Sequence, residues 1–105
     1  MQATYIEPNT VILTLEGEFD ALAVADARPM LEGIVANSDA NVVMDFDKVS
    51  FLDSSGIGCL VFLFKRLYAN KRSLTLQGLR DQPQRLIQSL RIDKAIPTRA
   101  ASAAA

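Results

Sequence analysis

Asp53-Ser54-Ser55-Gly56 gathers an acid, two hydroxyls and a glycine between an apolar run that ends at Leu52 and an amphipathic pattern that begins at Ile57. The placement predicts serines at the mouth of a helix. There a hydroxyl sits among backbone N–H groups that lack intrahelical acceptors, at the positive end of the helix dipole, where added negative charge is tolerated. The chemistry this suits is phosphorylation of a serine, with Gly56 letting a partner's backbone come close. A plain capped strand-to-helix turn is the competing reading, since Asp and Ser are favoured there in any case. Capping needs only one polar side chain, however, and this turn offers three. It lacks the Gly-Lys-Ser/Thr ending of a nucleotide-gripping loop, so ATP binding by this chain alone is not expected.

Other reactive residues are sparse. The chain has no histidine, which removes the Ser-His-Asp triad, the Cys-His pair and histidine-ligated metals. Asp45 and Asp47 read as solvated acids bracketing the end of a strand, because an enzymatic site needs several convergent groups. Cys59 is the single cysteine, too few for an internal disulfide or a structural zinc set, which points to a reducing compartment. Helical geometry turns Cys59 and Phe62 about 200° and 140° away from Ile57, opposite the expected core stripe. Phe62 is then either an exposed, protein-binding aromatic or a ring covered by another helix. No metal, cofactor or catalytic activity is expected.

At 105 residues and 50% apolar content the chain suits one domain with its own packed core. The amino terminus shows no basic region followed by an apolar stretch, and the apolar runs are too short to span a bilayer, so the expectation is a cytoplasmic protein without membrane contact. The net charge of -1 divides unevenly: residues 1–53 hold ten acids and two bases, residues 54–105 nine bases and two acids. The bases are scattered with little aromatic interleaving, which favours solvated helix faces over a nucleic-acid surface.

Periodicity supplies the elements. Thr4–Ile6 and Thr10–Glu16 form a hairpin around Pro8-Asn9, and Gly17-Glu18-Phe19-Asp20 breaks the second strand. Asp20 caps a helix over about 21–35 with a stripe of Leu22, Ala25, Pro29 or Met30, and Ile34, kinked at Pro29. Val42–Phe46 reads as a buried strand. The helix over 55–69 turns Ile57, Leu60, Val61, Phe64, Leu67 and Tyr68 inward, and Asn70 permits a left-handed stop. Leu74–Leu76 is a further strand, Asp81 or Gln82 with Pro83 opens a last helix to about Leu90, and Ala95-Ile96-Pro97 is a final short strand. The order implies an α/β fold: a mixed sheet with an N-terminal hairpin, its remaining strands joined by helical crossovers. Residues 1–98 make the domain and the alanine-rich 99–105 a frayed tail.

The chain resembles the STAS domains, and among them the anti-sigma factor antagonists of bacterial partner switching. The resemblance is carried by Gly17-Glu18-Phe19-Asp20, by Val42-Val43-Met44-Asp45-Phe46 leading into Val49–Gly58, and by Leu90–Ile96. It implies that Ser55 is the residue phosphorylated by a partner that is both anti-sigma factor and serine kinase. It implies too that only the unphosphorylated form binds this partner, and that a metal-dependent serine phosphatase restores it. Asp20, Asp53, Ser54 and Gly56 match positions around the acceptor; Cys59 and Phe62 join them as expected partner-facing residues on a monomer. The alternative class is a non-switching STAS subunit of a larger assembly, such as a lipid-transport complex or stress-sensing particle.

Overall fold

The computed structural model describes residues 1–6 and 8–101. Strands β1 (Gln2–Ile6) and β2 (Thr10–Phe19) form an antiparallel hairpin, and helix α1 (Ala21–Asn37) leads to β3 (Asn41–Leu52). Helix α2 (Ser54–Ala69) leads to β4 (Leu74–Gln77), and α3 (Asp81–Ser89), followed by a 3-10 turn over Ile92–Lys94, leads to β5 (Thr98–Arg99). The sheet order is β1-β2-β3-β4-β5, with every pair after the hairpin parallel. Each crossover advances one strand in the same direction, and right-handed connections then place all three helices on one face. The core accordingly forms a single cluster, and Val43, buried on the opposite face of β3, lies outside it.

β2 does not stop at Gly17-Glu18-Phe19, as the sequence suggests, but runs through it. Gly17 adopts φ 80°, a conformation open to glycine, and the strand keeps pairing with β3. β3 runs on well past its apolar run because β2 continues beside it, and it absorbs two extra residues against β2: Thr14 and Glu16 face Asp45 and Lys48, and Gly17 and Glu18 face Val49 and Phe51. Each one-residue slip shifts the inward phase, so burial passes from Phe46 to Val49 to Leu52 in steps of three. Asp45 and Asp47 therefore lie within β3 rather than at its end, with Asp45 Oδ1 accepting from the Asp47 amide at 3.0 Å.

Both long helices bury faces other than those expected. On α1 the buried residues are Val24, Ala27, Leu31, Ile34 and Val35, while Leu22 is 78% exposed. Pro29 does not end the helix; it is exposed, as is Ala25, the residue whose carbonyl it cannot serve. On α2 the buried residues are Gly56, Cys59, Leu60, Leu63 and Leu67, while Tyr68 is exposed. α2 packs against α1 as well as the sheet. Ile57 and Phe64, expected in the core stripe, are only partly buried against the core.

Three smaller corrections concern the ends of elements. The left-handed residue after α2 is Lys71, at φ 59°, and not Asn70. Arg72 is not simply solvated: it donates to the carbonyls of Ile34, Val35 and Ala40 at 2.8–3.1 Å, capping the negative end of α1. The last strand is Thr98–Arg99 instead of 95–97, so Arg99 pairs with β4 and is not part of a frayed tail; its Nε donates to Gln77 Oε1 at 2.7 Å. Residues 102–105 of that tail lie outside the described residues.

Candidate functional site

β2 and β3 end side by side, with Phe19 opposite Leu52 in the parallel ladder. Each strand is followed by an aspartate in extended conformation that caps the next helix. Asp20 Oδ1 accepts from the Ala23 amide at 3.1 Å, and Asp53 Oδ1 accepts from the Gly56 amide at 3.0 Å. Two helix N-termini are thereby brought together at the carboxyl edge of the sheet, the edge at which open α/β folds place their sites. The Asp20 cap was legible locally, because Asp at the N-cap satisfies an amide that the helix leaves free; at Asp53 a capped turn was only the competing reading, and the structure shows that cap as well.

Ser54 and Ser55 occupy the first two positions of α2, where their amides have no intrahelical acceptor. Ser54 is exposed. Ser55 is half-buried and lines a surface groove of about 460 Å³ between α1 and α2, with Ala21, Val24, Ala25 and Arg28 opposite and Gly58 and Cys59 alongside. The hydroxyl of Ser55 thus has both a shaped neighbourhood and access to solvent.

Gly56 and Cys59 occupy positions different from those expected. Gly56 is buried, and the backbone that comes close to it belongs to its own chain: a Cβ there would meet the Phe19 carbonyl oxygen and Leu52 Cδ1, each at 2.5 Å. Glycine is needed at this position so that α2 can start against the end of β2, not so that a partner can approach. Cys59 is 6% exposed and belongs to the core rather than to an outward face. Burial pushes its thiol above the usual value of 9.0, with the positive charge of Arg28 pulling the other way. Phe62 is 37% exposed, and two guanidinium groups lie over its ring, Arg28 from α1 at 5.7 Å and Arg66 from its own helix at 5.4 Å from the centroid.

Two site residues carried no recognisable sequence signal. Gln82, in the first turn of α3, uses its side-chain amide as a strand would, donating to the Leu52 carbonyl at 2.8 Å and accepting from the Leu52 amide at 2.9 Å. It fixes the end of β3 where β4 no longer reaches. Arg28 read as one base in an acidic half and acquires its place only when α1 packs on α2. No group of three or more metal-ligating side chains occurs among the described residues, and none of the described helices is long and apolar enough to cross a membrane.

The STAS domain family model matches residues 2–105. An anti-sigma-B factor antagonist of Listeria monocytogenes is 33% identical over 82 residues, covering 78% of this chain and 72% of that protein. One from Staphylococcus aureus is 28% identical over 72 residues, covering 69% and 67%. Among solved structures, the Bacillus cell fate determinant SpoIIAA in its phosphorylated form superposes with a TM-score of 0.79 at 23% identity, covering 97% of this chain and 91% of that one. An anti-sigma factor antagonist from Mycobacterium paratuberculosis gives 0.82 at 19% identity, covering 93% and 82%. The paired aspartate caps, the serine at the start of α2 and the hairpin-led mixed sheet thus occur in a chain that belongs to the STAS domain family.

Proposed function

We propose that this protein is a phosphorylation-regulated anti-sigma factor antagonist, a binding module without catalysis of its own that works in the cytoplasm. Unphosphorylated, it captures an anti-sigma factor that is also a serine kinase, and so frees a sigma factor or another regulator. The kinase closes the switch by phosphorylating Ser55, and a metal-dependent serine phosphatase reopens it. The observation that carries this reading is the position of Ser55: second in α2, half-buried, and on the wall of the α1–α2 groove, in a chain whose curated relatives are named anti-sigma-B factor antagonists.

The electrostatics explain how the switch acts without unfolding. Phosphate adds about -1.5 to -2 charges at neutral pH, and free amides with the positive end of α2 offset part of that within the fold. A partner surface shaped for a neutral hydroxyl would have to desolvate a dianion beside Asp53. Unpaired or like charges in an interface cost several kcal/mol, and each 1.4 kcal/mol is tenfold in affinity.

The test is intact mass after incubation with the cognate kinase and ATP. The wild-type chain should gain one phosphoryl group, Ser55→Ala should gain none while still binding the kinase, and Ser54→Ala should behave as wild type. Loss of modification in Ser54→Ala alone would transfer the assignment to Ser54.

Phe62 is proposed to lie on the same partner face. Phe62→Ala is expected to lower affinity for the kinase by about tenfold or more, within the range for a central interfacial aromatic. Because the ring is already over one-third exposed, its truncation should cost far less than the roughly 3–5 kcal/mol of a buried phenylalanine. Calorimetric titration and urea denaturation of one mutant separate the two effects; a stability loss of several kcal/mol with unchanged affinity would make Phe62 a packing residue.

A further inference from the structure

Arg28 is the single cation among the residues that line the groove beside Ser55. Ser55, Cys59 and Phe62 fall at i, i+4 and i+7, in line along α2, and Arg28 lies against the lower part of that line. Its guanidinium is over the Phe62 ring, and its charge reaches the Cys59 thiol, one helical turn from Ser55. Nothing holds it there firmly. Its ion pair with Glu32 is a long 3.9 Å contact between two half-exposed side chains, a kind of pair worth little in water. Arg66 contacts the same ring at 5.4 Å, so Phe62 retains a cation when Arg28 leaves.

We propose that Arg28 pairs with the phosphate carried by Ser55: the guanidinium leaves the ring of Phe62, which lies about two helical turns from Ser55 along α2, swings toward the start of the helix and meets the phosphate across the groove. This rests on Ser55 being the phosphorylated residue and adds to it the cation that meets the new charge. The guanidinium fork matches two phosphate oxygens at once, and a charge of about -1.5 to -2 competes easily with a ring face and a distant carboxylate. Asp20 and Asp53 each have one carboxylate oxygen engaged in capping its own helix, and each carries a single charge against the larger charge of the phosphate. Phosphorylation then changes the partner face twice, by placing charge at Ser55 and by bridging the groove while removing one of the two cations from Phe62.

The test installs phosphoserine at position 55 of the full chain by codon suppression, so no kinase is required. Phosphorus NMR is used to titrate the phosphate in the otherwise wild-type chain, in Arg28→Gln and in Arg28→Lys. With Arg28 present, the second phosphate ionisation should fall at a pH lower by about half a unit than in Arg28→Gln, roughly a threefold change in proton affinity, with Arg28→Lys between them. The Arg28 Nε–H resonance should also shift on phosphorylation, while thermal midpoints of the unphosphorylated variants stay alike. Equal titration curves with Arg28 present and in Arg28→Gln, or an Arg28 resonance indifferent to the phosphate, would overturn the proposal. Because the phosphate is installed directly, those outcomes count against Arg28 alone, whereas a kinase that fails to modify Ser55 counts against the switch.

Discussion

Gly56→Ala is expected to destabilise the domain by about 3 kcal/mol or more, at the upper end of what overpacking a close-packed site costs. The added methyl would lie 2.5 Å from Leu52 Cδ1 and from the Phe19 carbonyl oxygen, and 3.0 Å from Phe19 Cδ2. A side chain can rotate away, but Leu52 is fully buried with no space to enter. The Phe19 carbonyl is backbone in a strand paired with Leu52, so it cannot yield. α2 must therefore move outward, loosening the Asp53 cap and reopening the edge where the two helices begin. Urea denaturation should show the midpoint falling sharply. Gly58→Ala is the internal control: nothing lies within 4 Å of its Cβ position, and alanine should stabilise α2 by up to about 1 kcal/mol. A loss below about 1 kcal/mol for Gly56→Ala would show that α2 relaxes freely, and that Gly56 is not needed for the strand-to-helix packing.

Ser55→Asp is expected to weaken binding to the anti-sigma factor kinase by about thirtyfold or more, equivalent to about 2 kcal/mol, while moving the thermal midpoint by no more than about 2 °C. A carboxylate at the second position of a helix interacts favourably with the N-terminal dipole, so the fold should accept it. The partner should not, because it meets a charge where it binds a hydroxyl. One carboxylate carries less charge than phosphate, so Ser55→Asp should fall short of the phosphorylated protein. Calorimetric titration against the kinase and thermal unfolding followed by circular dichroism measure the two effects. Unchanged affinity would remove Ser55 from the interface; a large loss of helicity would make its hydroxyl structural.

Local chemistry makes much of this site legible in the order of residues alone. Aspartate is favoured just before an amphipathic run. The rule is not general, because Asp81 at the start of α3 makes no capping hydrogen bond and adopts φ 53°; Asp20, however, can be assigned from a neighbour three residues away. The same holds for the hairpin around Pro8-Asn9 and for the order of strands and helices, since the period of apolar residues depends on the element's own geometry. Ser55 at the start of α2 follows directly from these.

Which way each element faces depends on how the elements pack together. Leu22 looked like core and is exposed, whereas Cys59 looked outward and is buried, because α1 and α2 pack on each other as well as on the sheet. A helix covered on two sides buries a wider arc than a single hydrophobic stripe records, and which arc that is depends on its neighbours. The slips in β3 are visible only against β2. The carbonyl that demands glycine at 56 comes from residue 19, and the amide that completes β3 comes from Gln82, thirty residues past Leu52. The Asp20 cap, the serine and the succession of elements could be read from the chain because each depends on residues within a turn or two. The groove around Ser55, the cation within it and the reason for its glycine could not, because each is a contact between segments far apart in the chain.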